Sequence, residues 1–259
     1  MSVLLDILQN MAMGVRPIAR FSQRYHSTGL NGNSDMAARV FSEYSRFVDL
    51  SGKDILEIGP GQTLEVLERA LAAGARSCTA IDVLDYLSPD QARGKRISFV
   101  QYEGKGMPLA TEAFDLICSY TALEHVRYPG ITIHECFRVL RPGGSLVSVI
   151  DLGDHTWYGT AESYPDRVFH CLRYPEWLWN LMRWNRSSYV NRLRQSEWMQ
   201  LLSEAGFIVR AYETTVSEST VQCLSQLRYL QKYQYADAVT STLTVCVEKP
   251  ALSGPASNP

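Results

Sequence analysis

The chain has 259 residues, of which 46% are hydrophobic and 20% are charged, as is typical of a globular protein with a packed core. This length suits one large α/β domain with insertions and is marginal for two independent domains. A formal net charge of −2 excludes an overall attraction to nucleic acid or to an anionic membrane, so either partner would require a local basic patch.

The N-terminal region predicts short helices. Residues 1–20 place apolar side chains at helical spacing, with Asp6 among them. No long apolar stretch follows a basic start, which argues against a signal peptide and against a membrane span. A short amphipathic helix, packed on the domain or capping a site, fits this pattern best, and surface attachment to a membrane is the weaker alternative. A second helix is predicted over residues 36–47.

Residues 51–150 alternate strand-like apolar runs with helical patterns. Nearly continuous apolar strands separated by helices predict a parallel sheet with helices on both faces. Right-handed crossovers then place the loops that follow the strands along one edge of the sheet, where ligands bind in this architecture. The strand-like runs are 54–58, 78–82, 97–101, 114–119 and 145–150.

The pattern changes after residue 150. Residues 151–195 are rich in tryptophan and arginine and show no clean period, which predicts an insertion. A helix is predicted over 196–205, begun by a serine N-cap and ended by Gly206.

Two further strand-like runs, 207–213 and 242–248, complete the predicted fold. Residues 217–235 lie between them as a second, helical insertion. The fold prediction is a Rossmann-like seven-stranded sheet, mostly parallel with an antiparallel last strand, with helices on both faces. It occupies residues 51–249, and the Pro- and Ser-rich residues 250–259 form a flexible tail.

The strongest local motif is a glycine turn after the first strand. Glu57 ends an apolar run, and Gly59, Pro60 and Gly61 then lead into a helix. Glycines suit a sharp turn at which a ligand approaches the backbone, although a purely structural turn would look similar. A dinucleotide site requires a third glycine where this chain has Leu64, so a ligand without a pyrophosphate is favoured. S-adenosylmethionine (SAM) is such a ligand, and its positively charged ammonium and sulfonium groups are compatible with the negative charge of Glu57.

A second acidic residue, Asp82, ends the next strand. Its carboxylate is suited to accept hydrogen bonds from both hydroxyls of a ribose, and the adjacent Val83 is suited to pack on adenine. Alone, Asp82 would be interpreted as a loop cap. Its position one strand after the glycine turn favours the cofactor role.

Four further segments in this order resemble the class I SAM-dependent methyltransferases of the type 11, or UbiE-like, group. Residues 102–109 match the family's acid–small residue pair and Leu-Pro-like turn, and 114–115 match the Phe-Asp that opens strand four. Residues 119–126 resemble its Leu-Glu-His segment, and 138–144 resemble its Arg-Pro-Gly-Gly turn. The resemblance covers about residues 40 to 210.

The resemblance implies SAM as cofactor, S-adenosylhomocysteine as product, and further residues of the cofactor site. Glu103 falls where the family has an adenine-contacting acid, usually Asp, so this contact departs from the family pattern. Gly104 would present its backbone to adenine, and Ser119 would line the site. Residues 1–50 would form an N-terminal helical lid from which Tyr25 reaches the cofactor carboxylate.

The acceptor is expected above the ends of strands four and five, among residues 119–128 and 151–195. Asp151 and His155 follow strand five, which places His155 near the expected methyl position. A histidine titrating near neutrality suits the general base for a hydroxyl or amine, and an ordinary capping role is an equal alternative. His125 is the secondary catalytic candidate, because an anchoring role fits it better. No His, Cys, Asp or Glu residues show metal-ligand spacing, so metal-independent catalysis is expected.

The insertion carries a concentration of positive charge with aromatic residues between. Three interpretations remain open: a solvated helical lid with aromatics facing the core, recognition of an anionic acceptor, and binding of single-stranded RNA. The first is favoured, and no nucleic-acid partner is expected. The arginines are Arg167, Arg173, Arg183, Arg186, Arg192 and Arg194, against the single acid Glu176.

These features predict an enzyme that transfers a methyl group from SAM to a small acceptor, at oxygen, in secondary-metabolite or surface-glycan biosynthesis. N- or C-methylation, including methylation of RNA, and a non-catalytic SAM-fold subunit are the alternatives. None of the six cysteines forms a CxxC pair, which suits the reducing cytoplasm. The acceptor's identity and the oligomeric state leave no signal in the sequence.

Overall fold

The computed structural model describes residues 3–25, 34–84, 87, 96–155 and 167–251, without the side chains of residues 16, 20 and 23–25. The backbone of Tyr25 ends a helix, but its side chain, proposed above to contact the cofactor, lies outside this description. So does the predicted tail from residue 252 onward.

A seven-stranded sheet with strand order β3-β2-β1-β4-β5-β7-β6 forms the centre of the protein. Strands β1 to β5 are parallel where they pair, and β7 runs antiparallel to both β5 and β6. This arrangement confirms the predicted Rossmann-like sheet with its antiparallel last strand. The strands are β1 Asp54–Ile58, β2 Ser77–Asp82, β3 Ile97–Gln101, β4 Phe114–Tyr120, β5 Leu140–Asp151, β6 Ile208–Val216 and β7 Thr240–Glu248.

Helices cover the sheet and form the N-terminal region and the two insertions. The α-helices are α1 Val3–Met13, α2 Arg16–Tyr25, α3 Ser34–Ser45, α4 Glu65–Ala72, α5 Pro129–Val139, α6 Glu176–Arg183, α7 Gln195–Glu204, α8 Glu218–Cys223 and α9 Tyr235–Val239. Helix α1 packs against α6 of the first insertion, and α3 packs against α4. Among the described residues, no helix has the length and apolar character that a bilayer crossing requires.

Buried apolar side chains form a separate cluster on each face of the sheet. Neighbouring residues of β1 alternate between them: Ile55 packs in one cluster and Leu56 in the other. Both faces of the central strands are therefore buried, which explains their nearly continuous apolar sequence. A third cluster, which includes Trp179 and Leu230, joins the two insertions.

Two of the boundaries that differ from the prediction have an identifiable structural cause. Strand β5 begins at Leu140 rather than at residue 145, because Leu140 already pairs with Phe114 across a register shift in β4. Helix α7 is capped at Arg194, whose backbone N–H donates to the Glu197 carboxylate at 2.8 Å. The predicted cap Ser196 instead lies inside the first turn, where its hydroxyl donates to Asp237 on α9. Tertiary contacts thus replaced the local serine cap.

Candidate cofactor and acceptor site

A cavity of about 660 Å³ opens at the carboxyl ends of β1, β2 and β4. Its volume falls within the range of small-molecule sites, roughly 300–1,000 Å³. One end is lined by the residues that follow β1 and β2, and the other by the loop after β4 and by the first insertion. The predicted cofactor and acceptor regions therefore share one cavity.

The glycine turn after β1 forms the floor of the cavity, together with Pro60. Gly59 and Gly61 both have a φ angle of 71°, in the left-handed region that favours glycine. A Cβ atom on Gly59 would lie 2.4 Å from the Cβ of Ala122, which follows β4. Gly59 is therefore required both by its backbone conformation and by the close approach of the next loop.

Glu57 lies beneath the glycine turn and is only 2% exposed. Its Oε1 accepts a hydrogen bond of 3.4 Å from the Tyr44 hydroxyl, and its Oε2 has no hydrogen-bond partner among the described residues. Burial raises the pKa of Glu57 to about 8. A buried carboxyl oxygen left without a partner at a cavity wall is suited to a cationic hydrogen-bond donor, which would stabilise its ionised form.

Asp82 and Val83 form the wall beside the turn. The Oδ1 atom of Asp82 accepts the backbone N–H of Leu84 at 2.8 Å, which holds the carboxylate at the end of β2. Burial raises the pKa of Asp82 to about 6, so this carboxylate remains largely ionised at neutral pH. The exposed Val83 side chain packs against Gly104, where a Cβ atom would lie 3.2 Å from its Cγ1. Glu103 also lines this end of the cavity.

Ser119, predicted to line the cofactor site, does not line the cavity. It is fully buried within β4, whereas Tyr120, Thr121 and Ala122 line the cavity directly after it. The side chain of Ser119 is enclosed within the sheet layer, and only the residues that leave the strand reach the ligand edge. Thr121 has a φ angle of 46° and donates its N–H to the Val149 carbonyl at 2.7 Å. Such strained non-glycine backbone is concentrated at functional sites.

Two histidines from different loops meet at the other end of the cavity. The rings of His125 and His155 pack edge to face with centroids 4.7 Å apart. The Nδ1 of His125 lies 2.6 Å from the Tyr189 carbonyl oxygen, so this nitrogen carries the proton and donates it there. Burial, and secondarily the neighbouring His155, lower the pKa of His125 to about 4. His125 is therefore neutral and is anchored by this hydrogen bond.

His155 has a carboxylate on its own loop. Its Nε2 lies 3.3 Å from the Asp151 Oδ2, while the other Asp151 oxygen accepts the Gly153 N–H at 2.7 Å. Asp151 does not line the cavity, whereas His155 does. The arrangement is that of a histidine oriented by a carboxylate behind it, as general bases commonly are.

Glu124, which the sequence argument did not single out, lies beside both histidines. Its Oε1 is 3.9 Å from the His155 Nε2, and the ligand atoms of Glu124, His125 and His155 all lie within 4.8 Å of one another. The expectation that no such residues have metal-ligand spacing is therefore wrong, because these three side chains lie close enough together to hold a metal ion. Linear spacing missed this cluster because His155 comes from the loop after β5. Burial, and the nearby Asp151, raise the pKa of Glu124 well above its usual value.

The arginines of the first insertion are largely engaged within the protein. Arg183 and Arg186 both contact the Asp6 carboxylate, at 2.9 and 3.0 Å. Arg192 donates to the Tyr174 carbonyl at 2.7 Å, and the fully buried Arg194 donates to three backbone carbonyls. These contacts favour the interpretation of the insertion as a helical lid, in which Trp179 and Tyr189 are buried whereas Trp177 is exposed. Its contribution to the cavity comes from Trp184, Asn185 and Ser187.

Comparison with known proteins gives one family. Residues 56–148 match a family described as a methyltransferase domain. A ubiquinone biosynthesis O-methyltransferase from Coxiella burnetii is 25% identical over 165 residues, which cover 61% of this chain and 65% of that protein. The uncharacterized protein YafE from Escherichia coli is 29% identical over 115 residues, covering 44% of this chain and 48% of that protein. The matched region thus spans about half to two thirds of these relatives.

Solved structures share the fold at low identity. A SAM-dependent methyltransferase from Mesorhizobium loti superposes with a TM-score of 0.56 at 18% identity, covering 85% of this chain and 100% of that one. A phosphoethanolamine N-methyltransferase from Haemonchus contortus in complex with SAM gives 0.55 at 14% identity, covering 82% of this chain and 52% of that one. Residues 56–148 are thus similar to a methyltransferase domain, and the chain shares the fold of SAM-dependent methyltransferases.

Proposed function

We propose that this protein transfers the methyl group of SAM to an oxygen atom of a small-molecule acceptor. The observation that carries the proposal is a single cavity with a cofactor end and a proton-accepting end. Glu57 and Asp82 lie at the first end, and His155, oriented by Asp151, lies at the second. The names of relatives as O-methyltransferases support oxygen over nitrogen or carbon.

At the cofactor end, each polar group has a matching part of SAM. The ammonium group of the cofactor would donate to the unpartnered oxygen of Glu57, and the ribose hydroxyls would donate to Asp82. Adenine would lie between Val83 and the backbone of Gly104, near Glu103. Gly59 and Gly61 allow the cofactor to approach the backbone closely.

At the acceptor end, His155 would act as the general base. Bound SAM would supply the methyl group to the acceptor oxygen, which the cavity would hold facing the cofactor, and S-adenosylhomocysteine would be the product. The hydroxyl proton passes to His155, and the Asp151 carboxylate stabilises the resulting imidazolium. Asp151 is thus a positioning residue, and His125 shapes the wall beside the base.

The lining favours an acceptor with a planar apolar part. Tyr120, Tyr128 and Trp184 supply most of the aromatic surface around the acceptor end. Recognition of an anionic group would depend on Lys105, because Arg127 already donates to the Trp184 and Arg186 carbonyls. We therefore propose a small aromatic or apolar acceptor that bears a hydroxyl group, with no nucleic-acid partner.

We place this activity in the cytoplasm. All six cysteines are free thiols, and five of them are buried. Buried free thiols suit a reducing compartment.

Replacing Asp82 with asparagine should weaken SAM binding by about tenfold to 100-fold, because charge-assisted hydrogen bonds to the ribose would be lost. Isothermal titration calorimetry with SAM measures the effect. Asp49→Asn is the matched control, since Asp49 is exposed and binds only its local turn. Equal affinity in the Asp82 variant and wild type would refute the ribose assignment, and no binding to wild type would end the proposed function.

Binding of SAM at neutral pH should release a proton from Glu57. With a pKa of about 8, this carboxyl is mostly protonated in the free protein, and a bound ammonium would stabilise its ionised form and lower that pKa. Affinity should accordingly rise as the pH increases towards about 8. Calorimetry in buffers of different ionisation enthalpy measures the proton count. The same proton release by Glu57→Gln would assign the proton to another group.

A further inference from the structure

Helix α1 is amphipathic with its polar side facing the protein. The buried residues of this helix are Asp6 and Asn10, at 3% and 5% exposure. Its large apolar residues point away from the domain: Leu4, Leu5, Leu8 and Met11 are between 45% and 65% exposed. A surface helix of a globular protein normally has the opposite arrangement. Packing in the core therefore does not explain these leucines, and contact with a partner outside the protein would.

Specific polar contacts hold α1 in this orientation. The Asp6 carboxylate binds Arg183 and Arg186, and Asn10 donates to the Leu181 carbonyl at 3.0 Å. Asn185 in turn donates its backbone N–H to the Asn10 side chain at 2.7 Å. Rotation of α1 to bury its leucines would leave a carboxylate and two guanidinium groups without partners. These polar contacts therefore keep the apolar side of α1 exposed.

The exposed apolar surface extends beyond α1. Helix α6, against which α1 packs, exposes Trp177 and Leu181 one turn apart, and Trp177 is 68% exposed. Clusters of exposed large apolar side chains mark candidate interaction sites. We call this surface the N-terminal apolar face; it comprises Leu4, Leu5, Leu8, Met11, Val15, Ile18, Phe21, Trp177 and Leu181.

The charge of the neighbouring chain indicates what covers this face. Helix α2 contains Arg16, Arg20 and Arg24 and no acidic residue. A second copy docked symmetrically on the same face would bring two such basic helices together and repel. An anionic lipid surface complements both the arginines and the apolar side chains.

We propose that the N-terminal apolar face binds the surface of an anionic lipid bilayer. Helices α1 and α2 lie in the interface, with the exposed apolar residues inserted at the level of the headgroups, and the basic sequence of α2 complements the negative charge of the lipid phosphates. Trp177 is a residue type that favours this interface. The cavity lies close to this surface, because Asn185 lines it and also binds Asn10. The inference is independent of the reaction that the cavity performs.

Vesicle sedimentation of the full chain tests the proposal. The protein should sediment with vesicles of phosphatidylcholine and phosphatidylglycerol in equal parts, weakly with pure phosphatidylcholine, and less at high salt. The double variant Leu8→Ser/Met11→Ser should bind the mixed vesicles at least about tenfold more weakly. Arg20→Glu should reduce the preference for the anionic vesicles.

Ile131→Ser is the matched control, because Ile131 is an exposed apolar residue on α5, outside the N-terminal apolar face. It should bind vesicles as wild type does. Circular dichroism and SAM titration should be unchanged in every variant, since the substituted side chains of α1 are exposed. Failure of wild type to sediment with mixed vesicles, or equal sedimentation of the double variant, overturns the proposal. So does a dimer in analytical ultracentrifugation that Leu8→Ser/Met11→Ser dissociates.

Discussion

Replacing His155 with asparagine should reduce methyl transfer by about 10²- to 10⁴-fold, the usual contribution of a general base, and leave SAM binding unchanged. His155 lines the acceptor end of the cavity, 3.3 Å from Asp151, whereas the proposed contacts of SAM lie at the other end. The measurement is S-adenosylhomocysteine formation with the best acceptor from a panel of small phenols.

His134→Asn is the matched control for this change. His134 lies exposed on α5, so the same substitution there should leave turnover intact. Full turnover by the His155 variant would end its role as base. Asp151→Asn should also slow the reaction, by a smaller factor, because it removes the group that orients His155 and not the base itself.

The cluster of Glu124, His125 and His155 offers a competing explanation for a loss of activity. If the three side chains held a divalent cation that activates the acceptor, EDTA would abolish wild-type turnover and added metal would restore it. We expect EDTA to have no effect. Asp151 lies closer to His155 than Glu124 does, and the raised pKa of Glu124 favours its neutral form, a poor ligand. Loss of turnover in EDTA, with recovery on adding metal, would contradict the base assignment.

Replacing Gly59 with alanine should abolish measurable SAM binding and destabilise the fold by about 3 kcal/mol. The new methyl group would meet the Ala122 Cβ at 2.4 Å, and the φ angle of 71° is unfavourable for alanine. Relief of the contact would move the glycine turn or the loop after β4, and both line the cavity. SAM titration and thermal unfolding provide the two measurements.

Two further variants separate the cost of the backbone conformation at Gly59 from the cost of the close contact with Ala122. Gly52 has a φ angle of 70°, and a Cβ atom added there would meet nothing within 4 Å. Gly52→Ala should therefore cost only the conformational part, about 1–2 kcal/mol, and leave SAM binding intact. Adding Ala122→Gly to Gly59→Ala removes the colliding methyl group and should restore part of the binding. Equal effects of the Gly52 and Gly59 variants would show that the close approach to Ala122 does not matter.

The sheet, and the meeting of residues after β1 and β2 at one cavity, could be predicted because their signals are local. The apolar strands, the glycines after β1 and the acidic ends at Glu57 and Asp82 each reflect a backbone conformation or a periodicity of a few residues. The prediction for Ser119 also relied on a local signal. The segment that ends β4 does line the cavity, but the sequence did not reveal that Ser119 itself stays buried in the sheet. Tyr120 ends β4 and Thr121 follows it directly, so the rule for strand ends could have identified them.

By itself, the sequence determined the Rossmann-like order of strands, the acidic and glycine positions at the first two strand ends, and the loops from which an acceptor site would come. Only the tertiary structure brought Glu124 and His125 to His155, because the pairing of β4 with β5 joins loops that are distant along the chain. It also decided that α1 turns its leucines outward, since the partners of Asp6 lie on the first insertion. Such contacts depend on long-range packing, which local periodicity does not encode.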